Sequence, residues 1–354
     1  MMVGPAASSS AGGLSDWQAE KVPRLRIAAS PYPNFLLKVL PTGVDFGTHL
    51  YRVEIDSLGM GPSSELARGH FYTRRGGFLD LAHIRRAIDL AGYVHYQVRD
   101  SLTRGEAGFS FENIDRTTYR VSFHYPDFWS RLEPVTKARL IEEVAVRAGE
   151  TAALDLSNWR EILTWYGFHN VPGMPEKSSA FSFEDLSSHA VGAAVAGRAL
   201  RLEGVPFDEA VTRELQRELA ELGVVPVEVY DRAMALVEGK WWAEKATLKR
   251  HLDAGRDDGF ITPWLVRGLF PGAAPAAKSY QLPRGPDNFI HGYDCRGLVV
   301  FSCEPRPHRR EVRDAVMAMA GSVVVPQRDY PGILARIEEE MKAELGDQVI
   351  DPYP

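Results

Sequence analysis

Cysteine is scarce: Cys295 and Cys303 are the two in 354 residues. That number excludes a disulfide framework and a zinc site built from four thiolates. A reducing interior, the cytoplasm, is the expected setting. No run of about twenty apolar residues is present to span a bilayer, so no membrane partnership is expected. Basic charge is also short. Lys and Arg total 41 against 47 Asp and Glu, for a net charge of -6 and a pI near 6.0. With no basic block either, a nucleic-acid partner is not expected. Familiar signatures are missing too: no H-E-x-x-H, no paired C-x-x-C, no G-x-S-x-G elbow and no G-x-G-x-x-G after a clear strand. The opening MMVGPAASSSAGG lacks the positive flank and apolar run of a signal peptide, and residues 1–23 read as a disordered lead.

What remains is enough for a sizeable core, with 45% hydrophobic residues. Residues 24–350 read as a single globular domain, with 255–350 as a candidate C-terminal subdomain. FLLKVL, LYRVEI, TYRVSFHYP, GLVVFSCEP and SVVVP have strand character. Helical spacing of apolar residues marks DLAHIRRAIDLAGYVHYQVRDSL, which Asp80 opens, and FEDLSSHAVGAAVAGRALR, a segment full of Gly and Ala. It also marks FDEAVTRELQRELAELG, which reads as charged and exposed, a helix after Pro226, a short one around 309–319, and YPGILARIEEEMKAELG. The expected class is α+β, a mainly helical core with N- and C-terminal strands forming one small sheet.

The chain reads as organised around the stretch from Pro134 to Tyr166. Leu140, Val144, Ala148, Leu154, Ile162 and Trp165 recur at three- and four-residue steps. Pro134 suits a first turn and Gly167 a C-terminal stop. Glu150 and Glu161 are eleven residues apart, close to three helical turns, so both carboxylates point the same way. Trp159 and Trp165 flank Glu161, and a carboxylate desolvated among aromatics suits general acid or base work. A surface ion-pair network with Arg160 fits the same residues equally well.

Two further constellations carry chemistry. Asp80 and His83 are three apart, on one side of a helical turn, a spacing that holds metals as well as caps helices. Asp185 and His189 are four apart, which can orient an imidazole; Asp185 also stands at capping-box spacing from Ser182. Arg85 and Arg86 follow His83, and arginines in such positions are more often solvated or ion-paired than catalytic. The Trp241-Trp242 pair reads as core or interface.

Taken together, FGTHLYRV, FYTRRGGFLDLAHIRR, WREILTWYG, SAFSFEDLSSHAVG and WLVRGLFPG resemble a bacterial family known only as a domain of unknown function. The resemblance covers roughly residues 30 to 350. It implies shared positions at His49, Tyr51, Gly76, Gly77, Asp80, His83, Arg85, Glu161, Thr164, Trp165, Glu184 and Asp185. It also implies three departures: Arg74 replaces a family cysteine, Arg160 a histidine, and His189 an asparagine. No activity comes with the family.

The resulting expectation is a metal-dependent enzyme, a hydrolase foremost. His83, Glu150, Glu161, Glu184 and His189 would hold Zn, Fe or Mn between helices. Catalytic roles would fall to Glu161, His83, Arg160, Asp80 and Arg85 on a small-molecule or peptide substrate. The alternatives are a metal-free acid–base enzyme, an iron-dependent oxygenase or oxidase, and a non-enzymatic binding protein. In the last, Arg160 and Arg74 would neutralise Glu161 and Asp80.

Overall fold

Glycine and alanine set how closely the central helices approach. The computed structural model describes residues 70–112, 115, 117–169, 176–243, 246–272, 276–286, 288–305 and 310–352. The expected lead at 1–23, the strands FLLKVL and LYRVEI, and His49 and Tyr51 lie outside the described residues. Helix α1 spans Leu81–Arg104, α2 Pro134–Trp165 and α3 Asp185–Leu200, and these three pack on one another. A Cβ built on Gly149 of α2 would stand 2.6 Å from the Ala91 carbonyl oxygen of α1. One built on Gly192 of α3 would stand 2.6 Å from both the Ile84 carbonyl oxygen and the Ala87 Cβ. Helices that meet backbone to backbone bring their polar side chains within each other's reach.

Helix α2 begins with Pro134 in its first turn and stops at Gly167, whose φ of 100° takes a conformation that favours glycine. Its predicted apolar stripe is buried throughout. From Thr151 to Trp165 almost every residue is buried, Arg160 and Glu161 included, so this half of the helix is interior.

Before α1 comes a hairpin, β1 (His70–Thr73) and β2 (Gly77–Asp80), with His70 opposite Asp80. The Gly76–Gly77 pair makes its turn: Gly76 N–H donates to Thr73 Oγ1 at 2.9 Å, and Gly77 has φ 63°. Strands β3 (Gly108–Glu112) and β4 (Thr117–Phe123) follow α1. Helices α4 (Phe207–Leu222) and α5 (Val227–Val237) follow α3. Four short strands then lead through the C-terminal half: β5 (Trp242–Ala243), β6 (Ala246–Thr247), β7 (Phe260–Ile261) and β8 (Tyr280–Gln281). After β9 (Phe289–Ile290) and β10 (Tyr293–Asp294), β11 (Val299–Pro305) joins β4 and β3 in the order β11-β4-β3. Its alternate residues Val299, Phe301 and Cys303 are buried, as period-2 pairing requires. Helices α6 (Arg310–Ala320) and α7 (Pro326–Leu345) complete the described chain. The architecture is α+β with a mainly helical core.

Some elements depart from expectation. Among the described residues the strands form five small antiparallel sheets rather than one. SVVVP is no strand: Val324 alone bridges Cys303, because Pro326 starts a helix two residues later. Asp80 ends β2 instead of opening α1. Helix α4 is charged but not wholly exposed, since Glu214 and Glu218 are buried against Arg198 of α3. Trp241 and Trp242 are core residues, and both cysteines are buried and unpaired. Among the described residues no helix is long and apolar enough to cross a membrane.

Candidate metal centre

The β2–α1 junction places the first group. Asp80 N–H donates to Ser188 Oγ of α3 at 2.9 Å, which fixes the strand end against that helix. Its carboxylate Oδ2 lies 2.8 Å from His83 Nδ1, in the first turn of α1. The tautomer that donates from Nδ1 to Asp80 presents Nε2 as an acceptor. Nε2 faces Asp185 Oδ1 at 3.6 Å and Glu161 Oε1 at 4.0 Å. His189, one turn into α3, repeats the arrangement: Nδ1 is 3.1 Å from Asn158 Oδ1 of α2, and the buried Nε2 has no hydrogen-bond partner among the described residues. Ligand atoms of His83, Glu161 and His189 all lie within 4.8 Å of one another. The two imidazole rings are 5.3 Å apart between centroids.

Glu161 is held from a third side. Its Oε2 accepts the N–H of Phe181 at 3.2 Å. Phe181 has φ 54°, a conformation bulky residues rarely adopt and one that costs about 1–3 kcal/mol. The buried loop around it supports that strain. Ala180 O accepts from Arg250 Nη1 at 2.6 Å, and Phe181 O accepts from His251 N–H at 2.9 Å.

Burial governs the charges here. It pushes His189 well below the usual histidine range, with His83, Arg86 and Arg160 adding to the effect, so the imidazole is neutral. It pushes Asp185 well above the usual carboxylate range, helped by Glu161 and Glu184 close by. Burial works the same way on Glu184, but His70 and Ser182 outweigh it and hold that carboxylate below its ordinary value.

Not every expected residue arrives. Glu150 shares an azimuth with Glu161, yet three turns also separate them by roughly 16 Å along the axis. It binds Arg201 instead, Oε1 to Nη1 at 2.6 Å. Glu184 accepts from Ser182 Oγ at 2.7 Å and faces His70 Nε2 at 3.8 Å, while its neighbour Asp185 faces His83. Asp185 also keeps its expected local role, accepting the Ser182 N–H at 2.8 Å. Arg160 does not pair with Glu161: its guanidinium lies 3.9 Å from Glu176 Oε2 and over the Phe168 ring. Arg74 is exposed and lies over Phe270, so it does not neutralise Asp80. Arg85 is buried two residues after His83, about 200° around the helix from it. The flanking tryptophans have other partners, Trp159 with Thr117 Oγ1 and Trp165 with Glu340 Oε2.

Sequence reasoning passed over Asn158 and His70 and gave Arg86 no role. Asn158 is legible in hindsight, three residues before Glu161 and therefore on its face of α2. His70 carries no local signal, because the hairpin register brings it opposite Asp80.

Fold and site together define an α+β protein with two histidines and a glutamate converging from three helices. The chain belongs to the family described as Protein of unknown function (DUF4056), whose model matches residues 22–252. No curated protein and no solved structure gave a match. The matched span contains His83, Glu161 and His189 and ends before the WLVRGLFPG motif.

Proposed function

We propose that this protein is a metal-dependent enzyme, most simply a hydrolase, with its ion held by His83 Nε2, His189 Nε2 and the Glu161 carboxylate. The observation that carries the reading is the convergence of those three groups from α1, α2 and α3, within 4.8 Å of one another. Ligands about 2.1 Å from a common ion stand roughly 3–4 Å apart, so this spacing needs only a small closure. Both histidines also have the outer partner that metal-bound imidazoles use. Asp80 and Asn158 engage Nδ1 and leave Nε2 to bind.

Two histidines and one carboxylate leave coordination positions open, as catalytic zinc sites do. Such an ion, when bound, would supply hydroxide near neutral pH and would polarise a carbonyl or phosphoryl oxygen. Asp185, whose burial favours the protonated form, then stands as a proton donor 3.6 Å from His83 Nε2. The same ligand set suits iron in oxygen chemistry, and manganese is a third choice. Small-molecule or peptide substrates are both compatible with the reading.

The test is elemental analysis of protein purified without a metal-affinity tag, after growth with Zn, Fe and Mn supplied. Near-stoichiometric metal in the wild type, lost in His83→Ala, Glu161→Gln and His189→Ala, is the expected result. Zinc or manganese would direct assays to hydrolysis, and iron to oxidation. Metal-free wild-type protein would overturn the proposal.

A further inference from the structure

Near the metal ligands in sequence are two buried guanidiniums with unpartnered terminal nitrogens. Arg86 follows His83 by three residues, which puts it on the same side of α1. Its side chain is almost fully enclosed, with 3% of the residue exposed. Neither Nη1 nor Nη2 has a hydrogen-bond partner among the described residues. Arg160 Nη1 is likewise buried and unpartnered. The two guanidiniums bear on each other and on His189 through their charges, and Arg160 directly precedes the ligand Glu161 in α2.

The nearby acids do not account for them. Glu161 and Asp115 both act on Arg86 through their charge, and neither accepts a hydrogen bond from its Nη groups. Asp115 Oδ1 accepts the Thr117 N–H at 2.9 Å and Oδ2 the Tyr119 hydroxyl at 2.5 Å. Glu161 Oε2 accepts the Phe181 N–H, and Oε1 faces His83. Burial, and then Arg160, pull Arg86 down to about 9, so it is still charged at neutral pH. A buried charge with unpartnered donors is unfavourable, and such groups mark candidate binding sites.

We infer that Arg86, assisted by Arg160, is an oxyanion cradle, and that the substrate carries a carboxylate or phosphoryl group which the Arg86 fork grips while its reacting bond lies at the ion. This inference rests on the metal-dependent reading and names the substrate class for it. A guanidinium suits the task because its two Nη groups match two oxygens of one carboxylate or phosphate. A lysine in the same place offers a point charge and no fork.

The experiment is thermal unfolding and calorimetric titration with inorganic phosphate and, separately, acetate. It is run on EDTA-dialysed and zinc-loaded wild type, Arg86→Met and Arg86→Lys. Phosphate or acetate is expected to raise the wild-type Tm, and the stronger of the two identifies the group the substrate carries. Arg86→Met should weaken binding about 10- to 100-fold, the worth of charge-assisted hydrogen bonds. It should also raise the Tm of the anion-free protein, because it removes an unpaired buried charge. Arg86→Lys should fold and still bind at least tenfold less tightly, which covers a Met variant that fails to fold. Equal binding by wild type and variants, no binding of either anion, or a lower Tm in anion-free Arg86→Met would overturn the inference. Arg86-dependent binding to a protein that takes up no metal would instead remove the metal reading and leave the cradle standing.

Discussion

Asp80 contributes to the candidate centre through another side chain. Its carboxylate holds the Nδ1 proton of His83, and a group in that position orients the ring and raises its basicity toward an ion. Asp80→Asn keeps the shape and the Ser188 contact, which is made by the backbone. An amide can still accept from Nδ1 but no longer carries the charge. The expected outcome is a folded protein whose metal affinity falls about 10- to 100-fold, read by competition with a chromophoric chelator. Unchanged affinity would reduce Asp80 to a local hydrogen-bond partner. At this scale sequence was informative where partners are local. The three-residue step from Asp80 to His83 suggested their pairing, and the position of His189 marked it as a departure from the family. Sequence misleads where a face is read without its axial distance: Glu150 and Glu161 share an azimuth, yet Glu150 is found with Arg201. The adjacency of Arg160 to Glu161 misled in the same way, since neighbours on a helix diverge by about 100°.

Among the elements, the decisive feature is the near contact of α1 and α3 at Gly192. Its hypothetical Cβ meets a backbone oxygen, and backbone cannot swing aside as a long side chain can. Gly192→Ala should therefore push α3 away from α1, destabilising the protein by about 1–3 kcal/mol as overpacking does. His83 is on one of these helices and His189 on the other, so bound metal should fall as well. Gly332→Ala is the control: it lies in α7, and a Cβ there meets nothing within 4 Å. That change should be neutral or stabilising by about 0.5–1 kcal/mol through helix propensity. Urea titrations of both variants, with metal content measured alongside, check the opposite signs. Comparable losses in the two would mean that helix propensity, not close approach, governs. The Gly/Ala content of α3 made close packing legible, and the 3.6-residue period made α1 and α2 legible. The sheets were harder. The small sheets depend on which strands meet in space, and one buried alternation such as that of β11 does not say which partner it takes.

Over the whole molecule, Glu218 ties the family-matched region to the chain beyond residue 252. It is 1% exposed, and its carboxylate receives Lys278 Nζ at 2.7 Å, Tyr280 Oη at 2.5 Å and Arg198 Nη2 at 2.6 Å. Arg198 belongs to α3 and Glu218 to α4, while Lys278 and Tyr280 lie at β8, so one carboxylate joins three segments. Burial alone would raise its pKa. Lys278, Tyr280 and Arg198 outweigh that and hold it below the ordinary value of 4.5. The sign follows from linkage: when the folded form has the lower pKa, the unfolded chain takes up protons first. The stabilisation is therefore complete above pH 4.5 and is lost as pH falls through the folded value. Glu218→Gln should cost about 3 kcal/mol near neutrality, the low end for breaking a buried pair. The low end applies because Arg198 keeps Glu214 and Lys278 keeps Glu221. Urea unfolding of wild type and variant at pH 7 and again below pH 4 measures the gap between them. A gap that narrows in acid would show that the charge on Glu218 holds the C-terminal segment to the helices. A gap of the same size at both pH values would assign the stabilisation to the shape of the side chain instead.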